Sequence, residues 1–191
     1  MSTTVADRLL SVDEFLDLPE NGRDRFLIRG RLWEKRMTYR SPFHSTVMMQ
    51  AGYLLTAWLQ SQKPVAAKVL GGEAGFRLRP DPGTIVGIDV AVVAKSLPYY
   101  SFKNRMVFDS TPLLAIEILS PSDRQRKIEA KVDEYLDVGV SLVWIVDPHF
   151  RTVTVHSPGS KPQMFASDDE LSAEPVLPGL RFPVQRIFDM L

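Results

Sequence analysis

Two carboxylates stand where carboxylates are expensive. Asp89 lies in the run Gly87-Ile88-Asp89-Val90-Ala91-Val92-Val93, and Glu117 in Leu113-Leu114-Ala115-Ile116-Glu117-Ile118-Leu119. Both runs read as strands. A period of two sets Asp89 on a face with Ala91 and Val93, and Glu117 on a face with Ala115 and Leu119. An acid in a buried strand is costly unless it is paired, hydrogen-bonded or metal-bound. Two on nearby strands also repel each other, and a bound cation relieves both costs. From spacing alone an equal alternative stands: each acid caps a helix or meets an arginine at the sheet edge.

The segment after Glu117 adds a third group. At ~100° per residue, Ile128, Val132, Tyr135, Leu136 and Val138 form one apolar arc. Lys131 falls inside that arc, and Lys127 lies at its border one turn earlier. A lysine on the core-facing side of a helix needs an acidic partner or a solvent-filled cleft. The alternative is a lysine that snorkels along the helix with its ammonium in water.

These groups need elements to hold them, and the chain supplies turn and period signals for most. Ser11 to Glu14 fits a capping box, so a short helix starts there. Arg25–Ile28 and Arg31–Met37 read as strands around Gly30. Ser41-Pro42 is a helix start, and Val47, Ala51, Leu54, Leu55, Trp58 and Leu59 recur behind it at helical spacing. Strands are expected at Val65–Leu70, Gly75–Leu78, Ile85–Val93 and Leu113–Leu119, with Pro98 to Asp109 a long loop or excursion rich in Tyr, Phe and basic residues. Ser122 or Asp123 should cap a helix running to about Val138 and closed by Gly139. Ser141–Val146 and Arg151–His156 read as strands joined by the turn Asp147-Pro148-His149-Phe150. The last segment, with Pro178-Gly179 and Pro183, reads as irregular before a short terminal helix. This order argues for an α/β sandwich, a mixed sheet flanked by helices.

Composition narrows the function classes. The 191 residues fit one domain with a substantial core. With no cysteine there is no disulfide, thiol nucleophile or cysteine zinc site. Asp7 and Arg8 interrupt the N-terminus before an apolar run develops, and no run approaches membrane-spanning length. The expectation is a cytoplasmic protein without a membrane partner. The 23 basic and 23 acidic residues balance, yet Arg23, Arg25, Arg29, Arg31, Lys35, Arg36 and Arg40 crowd one stretch, with Phe26, Trp33 and Tyr39 interleaved. Such a stretch could bind phosphates and stack on unpaired bases, or it could be an ordinary solvated hairpin. Arg124, Arg126 and Lys127 add positive charge at the start of the later helix.

Ala115-Ile116-Glu117-Ile118-Leu119-Ser120-Pro121-Ser122, then Lys131, Tyr135, Gly139-Val140 and Val143-Trp144-Ile145-Val146-Asp147-Pro148, resembles the Uma2 family of candidate endonucleases. That family belongs to the PD-(D/E)XK, restriction-endonuclease-like superfamily. Asp89-Val90-Ala91-Val92-Val93 looks like its first acidic motif. Gly75-Phe76-Arg77-Leu78 fits the strand before it, and Arg151-Thr152-Val153-Thr154-Val155 and Leu177-Pro178-Gly179-Leu180 fit the later strand and tail. The likeness covers about residues 73–191. It implies one nuclease domain over 1–191, with 1–40 a divergent helix and basic hairpin and 41–191 the core. It implies Mg2+ or Mn2+ held by Asp89 and Glu117, with the main-chain carbonyl of Ile118 completing the shell. The superfamily's usual lysine position, two residues after the second acid, is Leu119 here. Lys131 matches the helix lysine that replaces it, as the helical arc also indicates.

There are departures from the pattern. Ile88 stands where the superfamily name implies proline. Relatives carry acids around the glycine that matches Gly30, where this chain has Phe26, Arg29 and Arg31, with Glu34 nearest. His44, where relatives often carry histidine, could contact a phosphate or carry a proton, or be a partly exposed helix-terminal residue. The implied activity is phosphodiester hydrolysis in DNA, with Arg29, Arg31 and Lys127 as auxiliary phosphate contacts and a homodimer by analogy. Two rivals stay open: a nucleic-acid-binding module of this fold without efficient catalysis, and a protein-interaction domain with a structural Asp/Glu/Lys network.

Overall fold

The expected capping box opens the first helix. Glu14 N donates to Ser11 Oγ at 3.1 Å, and Ser11 N donates to the Glu14 carboxylate at 2.8 Å. In this computed structural model of the chain, residues 8–36, 41–63, 66–120, 123 and 125–190 are described. Parts of the sequence reading at Asp7, Met37, Tyr39, Arg40, Val65, Pro121, Ser122 and Arg124 lie outside them. By contact density the chain forms two compact units. One comprises Met1–Tyr39, Gly75–Gly87 and Leu97–Thr111; the other comprises Arg40–Ala74, Ile88–Ser96 and Pro112–Leu191.

The smaller unit holds α1 (Val12–Leu16) and the antiparallel hairpin of β1 (Arg23–Ile28) and β2 (Arg31–Arg36). Arg29 (φ 50°) and Gly30 (φ 74°) make its two-residue turn, the left-handed geometry that such tight hairpins require. Gly30 is also closely packed, since an added Cβ would lie 3.1 Å from Leu9 Cβ. Leu10, Val12, Leu16, Leu27 and Ile85 form the unit's core, with Tyr100, Phe102 and Val107 packed against it.

Those last three decide between the two readings of this stretch. Residues Pro98 to Asp109 are an excursion with strands of its own, a second hairpin of β5 (Tyr99–Phe102) and β6 (Arg105–Phe108). Its strands are short, but aromatic and β-branched side chains favour a pleated surface, and several of them pack on the core. β6 runs parallel to the end of β3 (Ala67–Arg79), with Phe76 opposite Phe108.

β3 and β4 (Thr84–Ala94) each contribute to both units. The larger unit adds β7 (Leu114–Ile118), β8 (Leu142–Asp147), β9 (Thr152–His156) and β10 (Gln163–Phe165). The strand order is β10-β9-β8-β7-β4-β3. β7 and β8 are parallel, while β4 with β7, β8 with β9 and β9 with β10 are antiparallel, so the sheet is mixed. A parallel pair needs a crossover, and α3 (Gln125–Asp137) lies within it, followed by Gly139 at φ 91°. Two strands expected at Val65–Leu70 and Gly75–Leu78 are one. β3 runs straight through Gly71-Gly72, with Gly72 (φ 80°) and Glu73 (φ 59°) absorbing a local distortion. The glycine pair reads as a break, but an irregular step of this kind is a recognised way for a strand to bend.

α2 (Pro42–Ser61) buries the predicted stripe. Val47, Ala51, Leu54 and Leu55 pack with Val90, Val92, Leu114, Ile116 and Trp144 of the sheet. Full burial of each large apolar side chain contributes about 1.5–3 kcal/mol. The C-terminal segment is more ordered than the sequence reading had it. β11 (Glu170–Ser172) pairs with β12 (Arg181–Pro183), and a 3-10 turn at Val184–Ile187 follows in place of the expected helix. Leu171, Leu177, Leu180, Phe182, Val184, Ile187 and Phe188 are all buried in the same core. The architecture is α/β, a mixed sheet with helices, as the sequence argues. Among the described residues no helix is long and apolar enough to cross a membrane.

Candidate active site

Strand register brings the two acids together. β4 and β7 pair with Val90 opposite Ile116, and one step further along both strands come Asp89 and Glu117. Residues opposite each other share a face, with Cβ atoms ~4.5–5.5 Å apart. At this step the main chain of β7 turns to a side chain. Ile118 N donates to Asp89 Oδ2 at 2.8 Å. His44 Nε2 lies 3.3 Å from the same oxygen.

The first turn of α2 delivers that histidine. Ser41 caps the helix by accepting from His44 N at 3.1 Å, which fixes the backbone beneath the ring. His44 and Asp89 are 4% and 5% exposed, so this contact is interior, and the partly exposed alternative for His44 does not hold. Its Nδ1 is buried and has no hydrogen-bond partner among the described residues. The ring thus faces the Asp89 carboxylate inside the protein.

α3 serves the other acid. Lys131 Nζ donates to Glu117 Oε2 at 2.8 Å, and the Tyr135 hydroxyl donates to Glu117 Oε1 at 2.5 Å. Lys131 and Tyr135 are four residues apart, so one helix face presents both. The lysine is 17% exposed and does not snorkel to water. Among the described residues neither acid caps a helix or meets an arginine. Lys127 is half-buried one turn earlier, and it is not a partner of Glu117. Ahead of α3, Ser120 N and Oγ both donate to Asp123 Oδ2 at 2.8 Å, a tight turn that sets the helix off from β7.

The environments push the carboxylates apart. Burial raises Asp89, but the His44 bond and charge, the Ile118 amide and the Lys131 charge outweigh it and hold the carboxyl below its ordinary range. Burial dominates at Glu117; with the Asp89 charge it outweighs Lys131 and Tyr135, so that carboxyl lies above its ordinary range. Burial and the Glu117 charge keep the Tyr135 phenol well above its usual value, so it stays a donor.

The basic stretch is organised differently. Arg25 Nε meets Glu34 at 2.7 Å, Arg23 meets it at 3.6 Å, and Lys35 meets Asp24 at 3.9 Å. Phe26 and Trp33 stack on each other at 5.8 Å, and Phe26 is buried. Arg29 and Arg31 are exposed beside the β1–β2 turn, where Arg29 N donates to Thr84 Oγ1 at 3.0 Å. They belong to the smaller unit, whereas His44, Asp89, Glu117, Ile118 and Lys131 belong to the larger.

Sequence reasoning missed Tyr135 as a site residue, taking it for core. The available signal was its spacing from Lys131 together with the rule that a buried tyrosine hydroxyl needs a partner.

Comparison with known proteins adds a family and a fold. The Uma2 family, described as "Putative restriction endonuclease", matches residues 12–185. A solved structure from Anabaena variabilis ATCC 29413, described as "a putative nuclease belonging to DUF820", superposes with a TM-score of 0.77 at 23% identity. The match covers 94% of this chain and 98% of that one. Among curated proteins none matches this chain.

Proposed function

The chain belongs to the Uma2 family, and from that premise we propose that it is an endonuclease hydrolysing phosphodiester bonds in DNA, with Mg2+ or Mn2+ at Asp89 and Glu117. The observation that carries this reading is the placement of two largely buried carboxylates one register step past Val90 and Ile116, with Lys131 on one of them.

The donor set fits a hard cation. Every side-chain donor is a carboxylate oxygen, and Asp89 Oδ1 takes no hydrogen bond among the described residues. No three His, Asp or Glu side chains converge as a ready metal nest among those residues. Mg2+ suits such a site, since it keeps several waters and commonly takes only one or two protein carboxylates. The main-chain carbonyl of Ile118 is the third protein oxygen of the proposed shell. When bound, the ion would lower the pKa of a water and offset charge on the scissile phosphate.

The chain's own residues then have separate tasks. His44 and the Ile118 amide hold Asp89 in place and ionised. Tyr135 fixes the rotamer of Glu117. Lys131 places a positive charge beside the carboxylates, where it orients the attacking water or stabilises the pentacovalent phosphorus electrostatically. His44 and Tyr135 are positioning residues in this scheme, because each acts through a carboxylate.

One observation favours a second reading. His44 with Asp89, and Lys131 and Tyr135 with Glu117, also make a satisfied polar network that could serve structure alone. Incubation with DNA separates the two. Supercoiled plasmid and gapped duplex should be cut in millimolar Mg2+ or Mn2+, not in chelator, and not by Asp89→Asn or Glu117→Gln. Metal-independent cutting, or no cutting of any DNA form by a folded wild type, counts against the nuclease.

A further inference from the structure

A cleft of about 700 Å3 lies among the end of β7, the starts of α2 and α3, and the β8–β9 turn. Its lining continues the elements that build the site. Leu119 and Ser120 follow Ile118, Phe43 precedes His44, and Ile128 lies one turn before Lys131. The remaining wall is the β8–β9 turn, from Asp147 to Arg151. Asp147 Oδ1 accepts the amides of His149 at 2.8 Å and Phe150 at 3.1 Å, which locks the turn as aspartates commonly do. Arg151 completes it at φ 52°.

The residues this rigid turn displays are poor choices for solvent. Phe150 is 73% exposed, and the His149 ring stands edge-on to it at 4.9 Å. Phe43, on the first turn of α2, is 60% exposed. Single exposed apolar residues are ordinary, but here three rings line one cleft whose walls also hold Leu119, two residues after Glu117, and Ile128, one turn before Lys131. Arg151 is exposed on the same wall, and among the described residues its guanidinium makes no hydrogen bond or ion pair. Planar rings offer a face to a planar partner, and the exposed guanidinium offers a phosphate contact. A nucleotide outside a duplex has both groups to give.

Building on the nuclease reading, we propose that this cleft receives an unpaired nucleobase beside the scissile phosphate, stacked on Phe150 or Phe43, with Arg151 on a neighbouring phosphate. The substrate class is then DNA with single-stranded character, such as gapped, flapped or looped DNA, rather than continuous duplex. The energetics favour that choice. Stacking on an aromatic side chain is worth about 1–3 kcal/mol per base. A base in intact duplex must first be unstacked and unpaired, which costs a few kcal/mol and cancels the gain. An apolar segment of a partner protein would fill the rings but leave Arg151 without an anion.

Anisotropy titrations in Ca2+ test this, with a single-stranded oligonucleotide and a blunt duplex of equal length. The single strand should bind roughly tenfold tighter. Phe150→Ala and Phe43→Ala should each weaken it roughly fivefold to a hundredfold and leave the duplex unchanged. Both rings are exposed, so these variants should melt like wild type. Phe150→Trp keeps a stacking face and should retain binding, whereas Phe150→Leu keeps only bulk and should not.

A cleavage arm in Mn2+, comparing gapped with continuous duplex, separates this inference from the reading beneath it. Equal cutting of both forms with no effect of the ring variants overturns the base pocket and leaves the nuclease standing. Ring-dependent binding of single strands without cutting of any DNA overturns the nuclease and keeps the pocket. Equal affinity for both forms, or loss of binding that Phe150→Leu restores, overturns the proposal.

Discussion

In the β1–β2 hairpin, charges are many and shared out along the strands; around Glu117 they are few and held between strand and helix. Glu34 answers to Arg25, Arg23 and Asn21 at once, and Asp24 meets Lys35 at the limit of an ion pair. Among the described residues Glu117 has one cation and one phenol, each at hydrogen-bond length. Charge density along the sequence therefore says little about where chemistry sits. What distinguishes the cluster is that its charges interrupt apolar faces, where each must be answered by a specific partner.

The sharpest way to break the comparison is activity. Lys131→Met should reduce metal-dependent cleavage roughly a hundredfold or more, the scale expected for losing one electrostatic contact to the transition state. Arg29→Ala with Arg31→Ala should leave single-turnover rates at saturating DNA close to wild type. Equal losses in the two variants would erase the distinction.

Stability gives the next largest contrast. Tyr135→Phe leaves Glu117 Oε1 without its donor and should cost about 1–3 kcal/mol in a denaturant melt, the penalty for an unsatisfied buried polar group. Glu34→Gln should cost less, about 0.5–1.5 kcal/mol, because the amide oxygen still accepts from Arg25 and Asn21 and only the charge is lost. Its pH dependence has a definite sign. Burial raises the Glu34 carboxyl, but its hydrogen bonds from Arg25 and Asn21 and the arginine charges leave it below its ordinary value of 4.5. The stabilisation is thus fully present above 4.5 and lost as pH falls through the lowered folded value. Melts of wild type and Glu34→Gln should converge at low pH. A gap that persists there would mean the residue acts by packing instead.

The smallest effect concerns the hairpin's own role. Arg29→Ala and Arg31→Ala should each lower the slope of log affinity against log salt by about one if they touch phosphates. An unchanged slope in a salt titration returns them to the solvated surface.

How much of this was readable beforehand depended on whether the partner was local. Asp89 and Glu117 announce themselves as breaks in apolar runs, and Lys131 follows from the helical angle, because each signal lies within one element. The capping boundary at Ser41 and the α2 stripe are local too. The contact of His44 with Asp89 spans 45 positions and was invisible, since no pattern in one chain ties a helix start to a distant strand. Tyr135 was misread because a phenol at an apolar position packs as well as a phenylalanine. The β5–β6 hairpin and the strands β10 to β12 were missed because each is three or four residues long, too short for a period of two to stand out from turn residues.

The central claim is that the paired acids form a metal site and not merely a satisfied ion network, and thermal melts in chelator and in millimolar Mn2+ or Mg2+ test it most directly. A ligand that binds only the folded state stabilises it by RT ln(1 + [L]/Kd), about 2.7 kcal/mol at a hundredfold excess over Kd. Wild type should melt higher with metal, saturably. Asp89→Asn and Glu117→Gln should fold in chelator and show no metal response, while Lys131→Met keeps it. A wild type indifferent to both metals, with Asp89→Asn destabilised by about 3–5 kcal/mol as expected when a buried charge loses its partner, would contradict the account.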